Sequence, residues 1–305
     1  MFCHCGDKAV IETREGVLCK KHFIEFFERT VFQTFETFDM LSGVKKIAIA
    51  VSGGKDSTVV LYLTKKYIEQ KKLDVVLEAL CIDEGIKGYR EYTIRDLKRI
   101  CSQLNVPLRI VSFKQEFGYT LDECLKAINV KSCRLCGVFR RYLLNKYSRD
   151  YDVILTGHNL DDEAQSFLMN VFNANLDLIA RQGPITGIVY SEDFTKRAKP
   201  LFFCKEKEIF VYSLLRNFNL RFVECPYSSS SFREYARNFL NTLELERPNV
   251  KYNLINSLLK ILPELKMVNS KAEIKHCRIC GEPSSRDVCR ACFYKQQIQK
   301  YDLSS

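Results

Sequence analysis

Val51-Ser52-Gly53-Gly54-Lys55-Asp56-Ser57 lies between two runs of opposite periodicity. Before it, Lys45-Lys46-Ile47-Ala48-Ile49-Ala50 is short and apolar enough for a buried parallel strand. After it, Thr58 to Tyr67 repeats apolar residues at helical spacing. A strand that turns through two glycines into a helix aims free backbone N–H groups at one point. The helix dipole adds positive potential there, so an anion is stabilised. Glycine permits positive φ and lets a phosphate approach the backbone. Ser52 and Ser57 offer hydroxyl donors. Asp56 repels phosphate unless a cation or an N-cap N–H offsets it, which argues for a Mg²⁺-bound nucleotide.

The pattern S-G-G-x-D-S differs from the G-x-x-x-x-G-K-S/T phosphate loop. It resembles the PP-loop of ATP pyrophosphatases. That resemblance implies cleavage of ATP to AMP and pyrophosphate with adenylation of a carbonyl oxygen.

Outward from this loop, strands and helices alternate. Residues 75–82 and 107–112 read as further apolar strands, with a helix over 89–103 between them. Alternation of this kind predicts an α/β fold with a doubly wound parallel sheet, whose ligands sit beyond the carboxyl ends of the strands. Asp83-Glu84-Gly85 falls at such an end, where Asp83 either frames the nucleotide or caps a turn. Strand 151–156 leads into Gly157-His158-Asn159-Leu160-Asp161-Asp162-Glu163, again strand, glycine and helix start. The carboxylates cap a helix or hold Mg²⁺ for pyrophosphate. His158 is a loop histidine or a metal ligand. From 165 to 260 the pattern is mostly helical, with a basic turn at Lys196–Leu201 and a strand at Leu220–Glu224. Residues 24–43 read as a phenylalanine-rich, core-facing helix.

With 305 residues the chain holds one large domain plus small modules. A division follows: a finger at 1–25, a linker helix at 26–44, a catalytic domain at 45–265 and a second finger at 270–305. The net charge of +10 suggests a polyanionic partner, nucleic acid first. Arg233, Arg237, Arg247 and Lys251 either track an RNA backbone or form a solvated face. No apolar run approaches a membrane span, and no signal peptide is visible, so a cytoplasmic place with no membrane partner is expected.

Fourteen cysteines in such a chain are expected to serve as metal ligands or catalytic groups more than as disulfides. Cys3, Cys5, Cys19 and His22 form a candidate zinc site, although Cys-x-Cys is tighter than the usual Cys-x-x-Cys and His4 is a substitute ligand. Cys277-x-x-Cys280 followed by Cys289-x-x-Cys292 has zinc-ribbon spacing. Its basic flanks suit an RNA clamp or a structural cap. Cys133-x-x-Cys136 fits zinc, a redox pair or an iron–sulfur pair, and Cys225-Pro226-Tyr227 supplies a third thiolate. Three thiolates from two loops at one sheet edge can hold a 4Fe–4S cluster and leave one iron open. Cys81, Cys101, Cys124 and Cys204 read as small buried hydrophobes.

Taken in order, these motifs resemble the tRNA 2-thiouridine synthetases of the two-zinc-finger type, over nearly the whole chain. The resemblance implies ATP at Ser52, Gly53, Gly54, Lys55, Asp56 and Ser57, with Asp83 and Gly157 nearby. It implies a cluster on Cys133, Cys136 and Cys225, and two Zn²⁺ on the fingers. The tRNA uridine 2-carbonyl, at T-loop position 54 or wobble position 34, would be adenylated and AMP displaced by sulfur. The sulfur would come from a ubiquitin-like thiocarboxylate carrier or free sulfide, and the enzyme would be a homodimer. Lys55, Asp161 and Arg140 are the catalytic candidates, Asp161 as Mg²⁺ ligand or base. The family commonly has Lys-Arg where this chain has Arg140-Arg141, and arginine does not serve as a proton donor. The alternatives are a 2-thiocytidine-forming relative and a non-catalytic zinc-dependent tRNA-binding protein.

Overall fold

The computed structural model describes residues 1–187, 194–221, 223–227, 232–269 and 275–304. The chain opens on an antiparallel hairpin, β1 (Ala9–Thr13) and β2 (Gly16–Cys19), followed by α1 (Lys20–Thr37). An alternating run follows: β3 (Lys46–Val51), α2 (Lys55–Lys71), β4 (Val76–Asp83), α3 (Arg90–Gln103) and β5 (Leu108–Ser112). Three helices come next: α4 (Phe113–Phe117), α5 (Leu121–Ala127) and α6 (Ser132–Ser148). Then come β6 (Val153–Leu155), α7 (Leu160–Phe172), α8 (Leu176–Ala180), β7 (Ile185–Thr186) and β8 (Lys196–Ala198). Three further helices are α9 (Glu206–Leu215), α10 (Phe232–Glu246) and α11 (Val250–Asn269). The chain closes on the hairpin β9 (Lys275–His276) and β10 (Pro283–Ser284), and α12 (Arg290–Ser304).

The main sheet has the order β5-β4-β3-β6-β8-β7, parallel except for β7 against β8. The strands run outward from β3 to β5, then return to the other side of β3 at β6. The order therefore reverses between β3 and β6, and the crevice beyond their carboxyl ends is the expected ligand position.

Side chains alternate between two cores. Ile47, Ile49, Val51, Ala79, Cys81, Val153 and Leu155 face one, with the phenylalanines of α1. Ala48, Leu80, Ile82 and Ile154 face the other, with Phe113, Phe139 and Leu143. A period of two over strands buried on both faces explains why the sequence reads as continuous apolar runs. The two terminal hairpins lie on opposite faces. Cys3, Ile11 and Leu18 join the first core, whereas Cys277, Cys292 and Ile298 join the second. A third core, around Leu160, Phe202, Ile255 and Leu258, packs α7 and α11 together.

Four expectations change. Lys196–Ala198 is strand β8 and not part of a turn; its basic side chains hide a residue set that pairs with β6. Leu220, Arg221, Val223 and Glu224 form no strand, and Phe222 lies outside the described residues. The helix placed at 24–43 spans Lys20–Thr37, so it grows directly out of the first cysteine hairpin and packs its phenylalanines into the main core. Cys133 and Cys136 sit on the first two turns of α6 and not on a loop. No helix among the described residues is long and apolar enough to cross a membrane.

Candidate functional site

The loop after β3 closes on itself before any ligand is considered. Ser57 Oγ accepts from Ser52 N at 3.1 Å and donates to Gly54 O at 3.1 Å. Gly53 has φ +83°, and a Cβ there would lie 2.6 Å from Thr93 O. Only glycine lets α3 pack this closely behind the loop. Gly157, after β6, meets the loop from the other side: a Cβ would lie 2.9 Å from Ser57 N. The turn is thus gripped between β6 and α3 at the reversal of strand order. Lys55 Nζ bridges Asp56 Oδ2 at 3.1 Å and Glu206 Oε1 at 2.9 Å. Burial works against its charge, but these two carboxylates more than offset it and raise its pKa. Glu206, which the sequence reading missed, lies on α9 far along the chain.

The acidic helix start separates into two roles. Asp161 is buried, with Oδ1 paired to Lys251 Nζ and Oδ2 accepting from Glu206 N at 2.7 Å. Both oxygens are committed to holding α11 and α9 in place. Asp162 instead forms a capping box with Asn159, whose Nδ2 donates to Asp56 Oδ1 at 3.1 Å. Burial, with the charges of Asp56 and Glu163, raises the Asp162 pKa to about 6. Beside it, His158 Nδ1 lies 2.9 Å from Thr156 Oγ1. The ring keeps an exposed edge, but crowding by the crevice walls and the cations Lys199, Arg197, Arg233 and Arg140 hold its pKa below the usual imidazole range.

Asp83 caps its own turn, accepting from Gly85 N at 2.9 Å. Glu84 is buried between two arginines. Its Oε2 lies 2.8 Å from Arg90 Nε, an ion pair off the line of a hydrogen bond, and its Oε1 lies 3.2 Å from Arg140 Nε. Arg90 also donates to Ser52 O at 2.8 Å. A chain of contacts therefore runs from the glycine loop through Arg90, Glu84 and Arg140 to α6.

The cysteines fall into two geometries. Tetrahedral zinc with Zn–S near 2.3 Å sets thiolates about 3.8 Å apart. Cys5 and Cys19 Sγ are 3.7 Å apart, and Cys280 and Cys289 Sγ are 3.8 Å apart. The ligand atoms of Cys3, Cys5, Cys19 and His22 lie within 4.8 Å of one another, as do those of Cys277, Cys280, Cys289 and Cys292. His4 stacks on His22 with ring centroids 4.3 Å apart and stands outside the quartet. Cys133, Cys136 and Cys225 form no such tight group among the described residues. A cluster spreads its thiolates over different irons, so a wider triad suits it. Ser132 Oγ and Cys133 Sγ both donate to Tyr227 O, at 3.3 and 3.7 Å, and Tyr227 donates to Asp122 at 2.7 Å. These contacts clip the Cys225 loop onto the α6 N-terminus. Burial, then Glu84, pushes the Cys136 thiol to about 12, and burial raises Cys225. Thiols that the protein alone keeps protonated become thiolates on a metal. Cys81, Cys101 and Cys124 are buried with pKa values near 11, 11 and 12, as inert core thiols are.

A parallel sheet with an anion nest at its switch point, beside a cysteine triad, defines a nucleotide-activating α/β enzyme of the ATP pyrophosphatase class. The chain belongs to the PP-loop family: a family model described as a PP-loop domain matches residues 25–244. It is similar to the Pyrococcus horikoshii tRNA-5-methyluridine(54) 2-sulfurtransferase, with 38% identity covering 95% of this chain and 91% of that one. It is also similar to the cytoplasmic tRNA 2-thiolation protein 1 of Candida glabrata, with 35% identity covering 98% and 86%. Among solved structures, the U34-tRNA thiolase NcsA of Methanococcus maripaludis with its 4Fe–4S cluster matches at TM-score 0.80 and 32% identity, covering 97% of this chain and 96% of that one.

Proposed function

We propose that this chain is an ATP-dependent tRNA uridine 2-sulfurtransferase. One observation carries the proposal: Arg90, Glu84 and Arg140 join the PP-loop to the helix bearing Cys133 and Cys136, beyond the carboxyl ends of β3 and β4. Nucleotide activation and sulfur handling then share one crevice, and the relatives named for tRNA 2-thiolation support that reading.

In the first step the uridine 2-oxygen attacks the α-phosphorus and pyrophosphate leaves. The PP-loop N–H groups and Lys55 stabilise the charge developing on the phosphates. To do so, Lys55 exchanges Asp56 and Glu206 for phosphate oxygens, and the released carboxylates are free to hold Mg²⁺ with Asp162. We assign Asp161 to positioning, because its oxygens hold Glu206 and Lys251. In the second step sulfide attacks C2 and AMP leaves, giving 2-thiouridine. Cys133, Cys136 and Cys225 would hold a 4Fe–4S cluster, which would supply Lewis-acid activation of the incoming sulfur. Arg140 stands between Glu84 and this triad as a fixed positive charge. The two outer quartets hold structural Zn²⁺. Cytoplasmic location, a homodimer and a thiocarboxylate carrier or free sulfide as donor complete the reading.

The test is anaerobic incubation with tRNA, ATP and sulfide, followed by nucleoside mass spectrometry. 2-Thiouridine with stoichiometric AMP is expected; AMP formation that tRNA does not stimulate would refute the proposal. Asp162→Asn is expected to lose at least tenfold in turnover with an unchanged melting temperature, and full activity of that variant would remove Asp162 from the site.

A further inference from the structure

Cys133 and Cys136 ride on α6, which buries Leu135 and Phe139 in the second core. Cys225 lies outside any helix or strand, so its place depends on contacts made by the residues around it. Tyr227, two residues on, supplies them. Its carbonyl accepts from Ser132 Oγ at 3.3 Å, and its hydroxyl donates to Asp122 Oδ1 at 2.7 Å. The other oxygen of that carboxylate, Asp122 Oδ2, accepts from Lys87 N at 2.9 Å. One side chain thus ties together segments 35 residues before it and 105 residues after it.

Asp122 is itself firmly seated. Thr120 and Glu123 close a capping box at the start of α5, and Leu121 N donates to Glu84 O at 2.7 Å. Gly85, at φ +70°, lets this turn approach so closely that a Cβ there would lie 2.6 Å from Thr120 Cγ2. The first turn of α5 is docked on the loop after β4, the same loop whose Glu84 meets Arg90 and Arg140. An acidic residue that only favours the helix dipole leaves its oxygens to water. Here each oxygen has a donor from a distant segment. An ionised carboxylate is acceptor-only and has room for both, and bonds to an ionised acceptor are among the strong ones.

We propose that Asp122 is a positioning residue for sulfur insertion. Through Tyr227 it fixes Cys225 relative to Cys133 and Cys136, and through Lys87 it sets that cysteine relative to the loop after β4. This rests on the tRNA-thiolating reading above, with a cluster on the three cysteines. Asp122 touches no reacting group. Its loss leaves adenylation intact and impairs the step that needs all three thiolates in place.

The test compares wild type with Asp122→Ala, Tyr227→Phe and the double variant, all purified anaerobically. Iron release to a ferrous chelator is timed, and zinc content, melting temperature, AMP and 2-thiouridine are measured alongside. A hydrogen bond to a charged group is worth about tenfold in an opening equilibrium. Tyr227→Phe is therefore expected to release iron about tenfold faster than wild type, and Asp122→Ala at least as fast, with zinc retained and the melting midpoint within about 2 °C. AMP formed per 2-thiouridine rises in both. The double variant is expected to match Asp122→Ala to within about twofold, because the two substitutions remove one shared bond. Iron release from Asp122→Ala within about twofold of wild type overturns the proposal, and so do effects that multiply in the double variant. Faster release with zinc lost and a melting midpoint lowered by more than about 5 °C marks Asp122 as a general structural residue and overturns it equally. Wild type that carries no iron refutes the cluster reading and not the tie through Asp122. The tie is then read from alkylation of Cys225 in the zinc-loaded protein: a rate about tenfold higher in Asp122→Ala supports it, and equal rates overturn it.

Discussion

Lys251→Met removes one half of a buried ion pair and leaves the other half in place. Lys251 and Asp161 side chains are 7% and 8% exposed, so neither charge is well hydrated. Breaking such a pair on one side costs about 3–5 kcal/mol, because the remaining charge is stranded. Glu206 N still donates to Asp161 Oδ2, which places the cost near the lower end, about 3 kcal/mol. Lys251 also gives up its 2.6 Å bond to Asn241, so α10 loosens with α11. For a chain of this size each kcal/mol moves the melting midpoint by roughly 2 °C, giving a fall of about 6 °C. Asp161→Leu is expected to cost at least as much, since it strands Lys251 and uncaps α9. The double variant removes both charges together and should cost less than the sum by more than about 1 kcal/mol. Chemical denaturation of the anaerobically purified, metal-loaded protein reads all three values. Costs that add to within about 0.5 kcal/mol would show that the two side chains are not coupled, and the positioning role given to Asp161 would fall with them.

Gly157→Ala drives a Cβ to 2.9 Å from Ser57 N and 3.0 Å from the Asp56 carbonyl carbon, both backbone atoms that have little room to yield. The PP-loop is displaced, so calorimetry should show at least tenfold weaker binding of an ATP analogue with metal content unchanged; wild-type affinity would contradict the tight approach of β6. Burial raises the Glu208 carboxyl from 4.5 to about 7. The folded chain holds that proton to higher pH than the unfolded chain, so stability falls as pH rises between those values. The loss is worth about 3 kcal/mol at most. Glu208→Gln should flatten this part of a stability–pH profile, and an identical slope in the variant would show that another group causes it.

The sheet centre was legible because its strands are apolar on both faces. Runs at 45–51, 75–82 and 107–112 match β3, β4 and β5 to within one residue at each end. β8 escaped because Lys196 and Arg197 point toward polar partners, Asp39 O and Asn145, while Ala198 alone is buried. Its pairing with β6 is a long-range fact with no local signature. The glycine loop and the cysteine spacings announced themselves, since nests and tetrahedral metals demand fixed local patterns. The division of labour between Asp161 and Asp162 did not. The two residues are adjacent and alike, and only Lys251, Glu206 and Asn159, brought in by folding, distinguish them. Glu84 was visible as part of an acidic turn, but its place between Arg90 and Arg140 depends on α3 and α6 converging there.

The proposed separation of two metal chemistries, zinc on the quartets of the two terminal hairpins and a cluster on the triad beside α6, is tested most directly by elemental analysis. Zinc, iron and acid-labile sulfide are measured after strictly anaerobic purification of wild type and Cys225→Ala. The expected result is about two zinc and about four iron per chain in the wild type, with iron and sulfide lost and zinc retained in the variant. Zinc alone in the wild type, unchanged by the substitution, would contradict it and leave Cys133 and Cys136 to act as thiols.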